Sequence, residues 1–379
     1  MAMGHVVVAP DTFKGSLSAI EVASRIGAGL HRYRPDVDVA PVPIADGGEG
    51  TIDAVLAAGF TAQRVLVTGP TGEPLRASIA IRGRTAVVEL AAASGLQRLP
   101  GGREAPMTAG SYGTGELVTA ALDASCTTIV LGIGGSAGTD GGAGLVSALG
   151  ARLLDGRGEP LPPGGAALAE ARQLDLSRLD PRIGPATIVL ASDVDNPLLG
   201  PQGAAAVYAP QKGASPAEVS RLEAGLLRLA DVVAEATGTD LRTAPGAGAA
   251  GGVGLACLTL LGARRVPGIE VILDLVGFDR RLAGARLVVT GEGSLDEQSL
   301  RGKAPIGVAR AAARLGVPAV AVAGRCTLSA AQLRAAGLRA AYPLSTLEPD
   351  LERCISQAGV LLERLAADRV GPDWLGGGP

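Results

Sequence analysis

A chain of 379 residues is too long for one ordinary core, so two domains are expected. Apolar residues make up 47% and aromatics only 2%, which leaves Ala, Val, Leu and Ile to build the core. A net charge of −3 excludes the basic footprint of a nucleic-acid binder, and four scattered cysteines (126, 257, 326, 354) with two histidines exclude a zinc site or disulfide frame.

The N-terminus MAMGHVVVAPD reaches an aspartate too soon for a signal peptide. The uncharged stretch 244–263 begins with small rather than greasy residues, so a buried helix is expected there and no membrane span. The expectation is a cytoplasmic protein; a homo-oligomer stays open.

His5 to Ala9 reads as a strand. Ser18 and Glu21 form a capping box for a helix whose apolar face is Ala19, Ile20, Ala23, Ile26, Leu30 and Tyr33. Val37 to Ile44 reads as a second strand, followed by ADGGEGT and a helix through Leu56. Residues 73–90 read as a hairpin turning at Arg82-Gly83. Strands at 128–131 and 187–191 follow among long loops and Gly-rich helices. Toward the end come a strand at 286–290, a helix at 303–315, a strand at 318–323 and a closing amphipathic helix at 351–365, with a loose tail GPDWLGGGP.

Strand and helix alternate at both ends, the pattern of a parallel sheet with crossover helices. Neither end has enough strands alone; together they have about five, near the usual number. The expected fold is therefore α/β with two domains: a discontinuous parallel-sheet domain from residues 1–68 and 284–379, and an inserted mixed α/β domain from residues 69–283. A cleft between the two is the expected ligand position.

Polar residues gather just past the predicted strands, where open α/β sheets bind their ligands. Asp11 and Lys14 follow the first strand, and Asp46 and Glu49 the second. Asp193 and Asp195 follow the strand at 187–191. Glu292 and Asp296 follow the strand at 286, with Gln298 and Lys303 close behind. Each alone reads equally as a turn aspartate or helix cap; several at equivalent positions suit a magnesium–nucleotide site, because magnesium takes hard oxygen ligands. The loop GIGGSAGTDGGAG after Leu131 could cradle phosphates through Gly134, Gly135 and Ser136, with Thr139 and Asp140 beside them, or it could be a tight turn. A P-loop is excluded: the Gly302-Lys303 pair lacks its upstream glycine and is followed by Ala304.

Two other classes compete. Gly132 to Ala137 fits G-x-G-x-x-A, with Asp155 about 20 residues on, so an NAD-dependent dehydrogenase is an alternative. A non-catalytic solute binder would use the same cleft without needing two lysines and so many carboxylates.

The chain resembles the bacterial glycerate kinase family of the type without a P-loop. The resemblance runs through APDTFKGSLSA at 9, ADGGEGT, ELAAASGL at 89, SYGTGELV at 111, LGIGGSAGTDGGAG and SDVDNPLLGPQGAA. It continues through APQKGAS at 209, PGAGAAGGVG at 245 and TGEGSLDEQSLRGKAPIGVA at 290–309. It departs at Gly138-Thr139, where relatives usually carry Thr-Asn, and at Ser299, where they usually carry Thr. The resemblance implies a Rossmann-like domain with an α/β insert, and ATP- and magnesium-dependent phosphorylation of D-glycerate, leaning to 2-phosphoglycerate. Within that expectation Lys14 and Lys303 meet phosphate or substrate carboxylate, and Asp193 and Glu292 are metal ligands or base. Asp296 joins them as catalytic; Asp11, Asp46, Glu49, Asp140 and Lys212 bind substrate or phosphate.

Overall fold

The computed structural model describes residues 4–376. Its strands are β1 (Val6–Pro10), β2 (Val39–Pro41), β3 (Thr61–Thr68), β4 (Pro74–Arg82), β5 (Thr85–Glu89), β6 (Thr128–Gly132), β7 (Arg152–Leu154), β8 (Gln173–Asp175), β9 (Thr187–Ala191), β10 (Arg264–Val266), β11 (Leu287–Leu295), β12 (Ala319–Cys326) and β13 (Leu338–Pro343). They fall into two compact units, giving a two-domain α/β protein.

The first unit comprises the chain up to Asp46, Asp53–Ala58, and Ile269 onward. Its five strands lie in the order β13-β12-β11-β1-β2, all parallel. Side chains alternate across a sheet covered on both faces. Val7, Ala9 and Val288 enter one core with Ile306 and Ile272, while Val6, Val8 and Val289 enter the other with Ile26 and Leu362. β1 and β2 lie on one side of the sheet and the chain returns at β11 on the other side of β1, so the order reverses between β1 and β11. Crevices beyond the carboxyl ends of strands at such a reversal bind ligands.

The second unit comprises Gly47–Ile52 and Gly59–Gly268. Its mixed sheet runs β10-β9-β6-β5-β4-β3, antiparallel from β3 to β5 and parallel from β5 to β10. β7 and β8 form a separate antiparallel pair. Ile129, Leu131, Leu190 and Leu117 centre its core.

Several sequence expectations shift. β3, placed with the terminal segments, pairs with β4 along its whole length, so the boundary expected at 68 falls before β3. Helices Gly268–Leu275 and Phe278–Leu282, placed in the insert, bury Ile269, Ile272, Phe278 and Leu282 in the core around Val7. The Ser18–Glu21 capping box is present on the helix Ala19–Tyr33, but Val22 is buried while Ile20 and Tyr33 are exposed. β2 is only three residues long and ends at Pro41, which has no amide to donate. The closing helix breaks at Gln357 into Leu351–Ser356 and Ala358–Leu365. The tail is packed through residue 376: Leu375 is fully buried, and the Trp374 indole donates to the Tyr342 hydroxyl at 2.8 Å; residues 377–379 lie outside the described residues. Among those described, no helix is long and apolar enough to cross a membrane.

Candidate active site

Asp11 follows β1 directly, and its amide donates to the Gly291 carbonyl of β11 at 2.8 Å. Glu292 is the next residue of β11, so the two carboxylates stand at the carboxyl ends of neighbouring strands at the sheet reversal. A cavity of about 540 Å³ opens there within the first unit. Asp11, Asp46, Glu292 and Asp296 line it together with Lys14, Lys303 and Arg325.

Burial governs the charge of this cluster. Asp11 is 8% exposed, and desolvation, reinforced by the Asp46 charge, pushes its pKa up to about 8. The Thr12 amide, which donates to Asp11 Oδ1 at 2.6 Å, and the Lys14 ammonium pull it the other way. Glu292 is also raised by burial; the Ser299 hydroxyl that donates to it and the Lys303 charge oppose the shift. Ser299 Oγ accepts from the Asp296 amide at 3.1 Å, and Asp296 Oδ1 accepts from Gln298 N at 2.9 Å, which fixes this turn. Lys303 is the residue before the helix Ala304–Arg314.

Carboxylates that raise one another's proton affinity would be relieved by a divalent cation, and carboxylate oxygens are the donors magnesium prefers. No set of three or more His, Cys, Asp or Glu among the described residues is arranged as a self-sufficient metal cage. Magnesium needs only one or two carboxylates, and Asp11, Asp46, Glu292 and Asp296 are the carboxylates in this cavity that could hold it. Of the two ligands expected from the sequence, Glu292 belongs to the first unit and Asp193 to the second. Asp193 Oδ1 accepts from Gly268 N at 2.8 Å, where a helix begins.

The glycine loop of the second unit packs against a neighbouring loop of that unit. Gly134 N donates to Gly47 O at 3.3 Å, and a Cβ on Gly134 would lie 2.6 Å from Gly48 Cα. What approaches this backbone so closely is another loop of the same unit. Asp140, expected to bind phosphate, is 1% exposed and occupied: Oδ2 accepts from Ser111 N and Oγ, both at 2.8 Å, and from Gly144 N at 3.1 Å, while Oδ1 accepts from Gly142 N at 3.0 Å. It organises the loop. Ser136 accepts from Lys212 Nζ at 2.9 Å. Lys212 is fully buried and also donates to the Gly138 carbonyl. Its burial pulls the ammonium pKa down to about 8, with Asp140 opposing. Gly135 sits in the left-handed region at φ 74°. Glu49 is exposed and accepts from Gln97 Nε2 at 2.6 Å.

The dehydrogenase reading fails on local structure. The fingerprint glycines do not open a helix; the next one starts only at Ala143, after Gly142. Asp155 does not follow a neighbouring parallel strand but a short antiparallel one, and caps a turn by accepting from Arg157 N at 2.7 Å.

Residues missed in the sequence are Arg325, whose Nε donates to Ser294 Oγ at 3.0 Å, Ser299 at Glu292, and Ser111 at Asp140. β12 runs on to Cys326, past the expected end at 323, and so carries Arg325 to the cavity. A compositional signal was also available: of 34 Lys and Arg residues only three are lysines, at 14, 212 and 303. A chain that uses arginine almost everywhere else keeps lysine where a compact point charge is needed rather than a wide planar fork.

The sequence model of the Glycerate kinase family matches residues 6–371. This chain belongs to the glycerate kinase family. It is 44% identical over 368 residues to the glycerate kinase of Bacillus subtilis (strain 168), covering 96% of both chains. It is 44% identical to the glycerate 2-kinase of Escherichia coli (strain K12) over 344 residues, 90% of each. The crystal structure of a protein provisionally named glycerate kinase 2 from Salmonella typhimurium LT2 superposes with a TM-score of 0.82, at 41% identity and 98% coverage of both chains. Family membership makes this chain a kinase, and the acidic, lysine-bearing cavity is its candidate active site.

Proposed function

We propose that this chain transfers the γ-phosphoryl group of ATP to the 2-hydroxyl of D-glycerate, giving 2-phosphoglycerate and ADP, with magnesium as the cation. The observation that carries the reading is the pairing of Asp11 and Glu292 across β1 and β11 with Lys14 and Lys303 in one cavity. Glycerate is a small anion with two hydroxyls, so recognition needs cations for its carboxylate and an acceptor for a hydroxyl proton. Lys14 and Lys303 supply positive charge that the glycerate carboxylate and the phosphates share. Asp11 supplies the acceptor and takes the proton as the oxygen bonds to the γ-phosphorus and the bond to the β-phosphate breaks. Magnesium, when bound, neutralises phosphate charge, and Asp46 and Glu292 would hold it. Fixed lysines meet the charge on the moving phosphoryl without reorganising. The name of the Escherichia coli relative supports the 2-position. The test is a coupled assay of ADP release from D-glycerate and ATP with and without magnesium; no magnesium-dependent ADP release would refute the reading.

A further inference from the structure

The cavity of the first unit has a side that D-glycerate cannot use. Beside its charged residues it is lined by Leu344, Leu351, Cys354, Ile355 and Ala358, all from one stretch of chain. Leu351 and Ile355 are four apart on the helix Leu351–Ser356, hence on one face, and remain 63% and 44% exposed. The wall is fixed to the Lys14 loop, since Ser16 Oγ donates to the Ile355 carbonyl at 2.8 Å. A three-carbon hydroxy acid carries a polar group on every carbon and gains nothing from such a wall. A cavity of about 540 Å³ also has the size that takes drug-sized molecules rather than a three-carbon acid alone. In a kinase, the second substrate has an apolar end.

We propose that the wall of Leu344, Leu351 and Ile355 seats the base of the nucleoside triphosphate, with its phosphates extending to Lys14, Lys303 and Arg325. This rests on the kinase reading above and assigns the nucleotide to the first unit. Purine faces are flat and apolar, and they gain from leaving water for aliphatic side chains. The triphosphate meets cations in the same cavity, so one ligand accounts for both linings.

The test uses the full-length chain with Leu351→Asp and Ile355→Asp, both at partly exposed positions, with thermal melts to show that each variant folds. The expected result is a rise of about tenfold or more in KM for ATP, little change in KM for D-glycerate, and matching loss of affinity for a fluorescent N-methylanthraniloyl-ADP. Inhibition by tripolyphosphate, which has no base, should be the same in wild type and variants. A rise in KM for D-glycerate alone, or unchanged KM for both substrates, overturns the assignment. Loss of affinity for tripolyphosphate equal to that for the nucleotide also overturns it, because the wall would then act on the phosphates and not the base. The nucleotide-binding arm needs no turnover, so failure of the wild type to phosphorylate D-glycerate while the variants still lose nucleotide affinity would sink the kinase reading and leave this one standing.

Discussion

The Asp11 amide donates to the Gly291 carbonyl at 2.8 Å, and this bond sets the Asp11 carboxyl beside Glu292 at the carboxyl end of a parallel sheet. Two acids at this reversal point, both raised by burial, form a site whose charge is costly until cations fill it. Such cost is tolerated where chemistry needs it.

Asp11→Asn tests the cost and the chemistry together. Its folded pKa of about 8 lies above the ordinary aspartate value of 3.8, so the folded state holds the proton more tightly. The stability this gives is fully present below about pH 4 and is lost as pH rises through about 8. The variant cannot ionise, so its melting temperature should gain on the wild type steadily between those limits. If Asp11 is the base, kcat should fall by roughly 10²-fold or more. A melting-temperature difference that is constant with pH would contradict the assigned shift.

Lys14→Ala and Lys303→Ala should each lower kcat/KM by roughly 10²-fold, the scale of losing one positioned charge. Arginine at either position should restore little, given how sparingly this chain uses lysine. Steady-state kinetics of the four variants decide this, and full rescue by arginine would show that charge alone suffices.

Lys212→Met should be structural in effect. It removes the donor to Ser136 Oγ and the Gly138 carbonyl inside the second unit, leaving buried acceptors unpaired at a cost of about 1–3 kcal/mol. Chemical denaturation measures it; unchanged stability would mean that the loop does not depend on the buried ammonium.

These residues show what the sequence could and could not reveal. That Asp11, Lys14, Asp46, Glu292, Asp296 and Lys303 gather at one cavity was legible because a parallel sheet puts its ligands past strand ends, and the strands betrayed themselves by apolar runs. The packing of the glycine loop was not, because Gly134 is approached by Gly47 and Gly48, far away in sequence. The burial of Lys212 was not legible for the same reason: it depends on Ser136 and Gly138, which local sequence does not bring near. Residues 61–68 fell on the wrong side of the expected boundary because an edge strand's partner is set by pairing, not by its own pattern.

Asp193 separates capping from charge. Asp193→Ala frees the Gly268 amide and should cost about 1 kcal/mol, whereas Asp193→Asn keeps an oxygen for it and should melt near the wild type. Equal destabilisation by both would show that the carboxylate charge, not its hydrogen bond, supports the fold.

The central claim is best tested by phosphorus and proton NMR of the product formed by the purified protein from D-glycerate, ATP and magnesium. The expected products are ADP and 2-phosphoglycerate in equal amounts, with no product when magnesium is chelated. Phosphate on the 3-hydroxyl would contradict the proposed regiochemistry, and unreacted D-glycerate with intact ATP would contradict the proposed function.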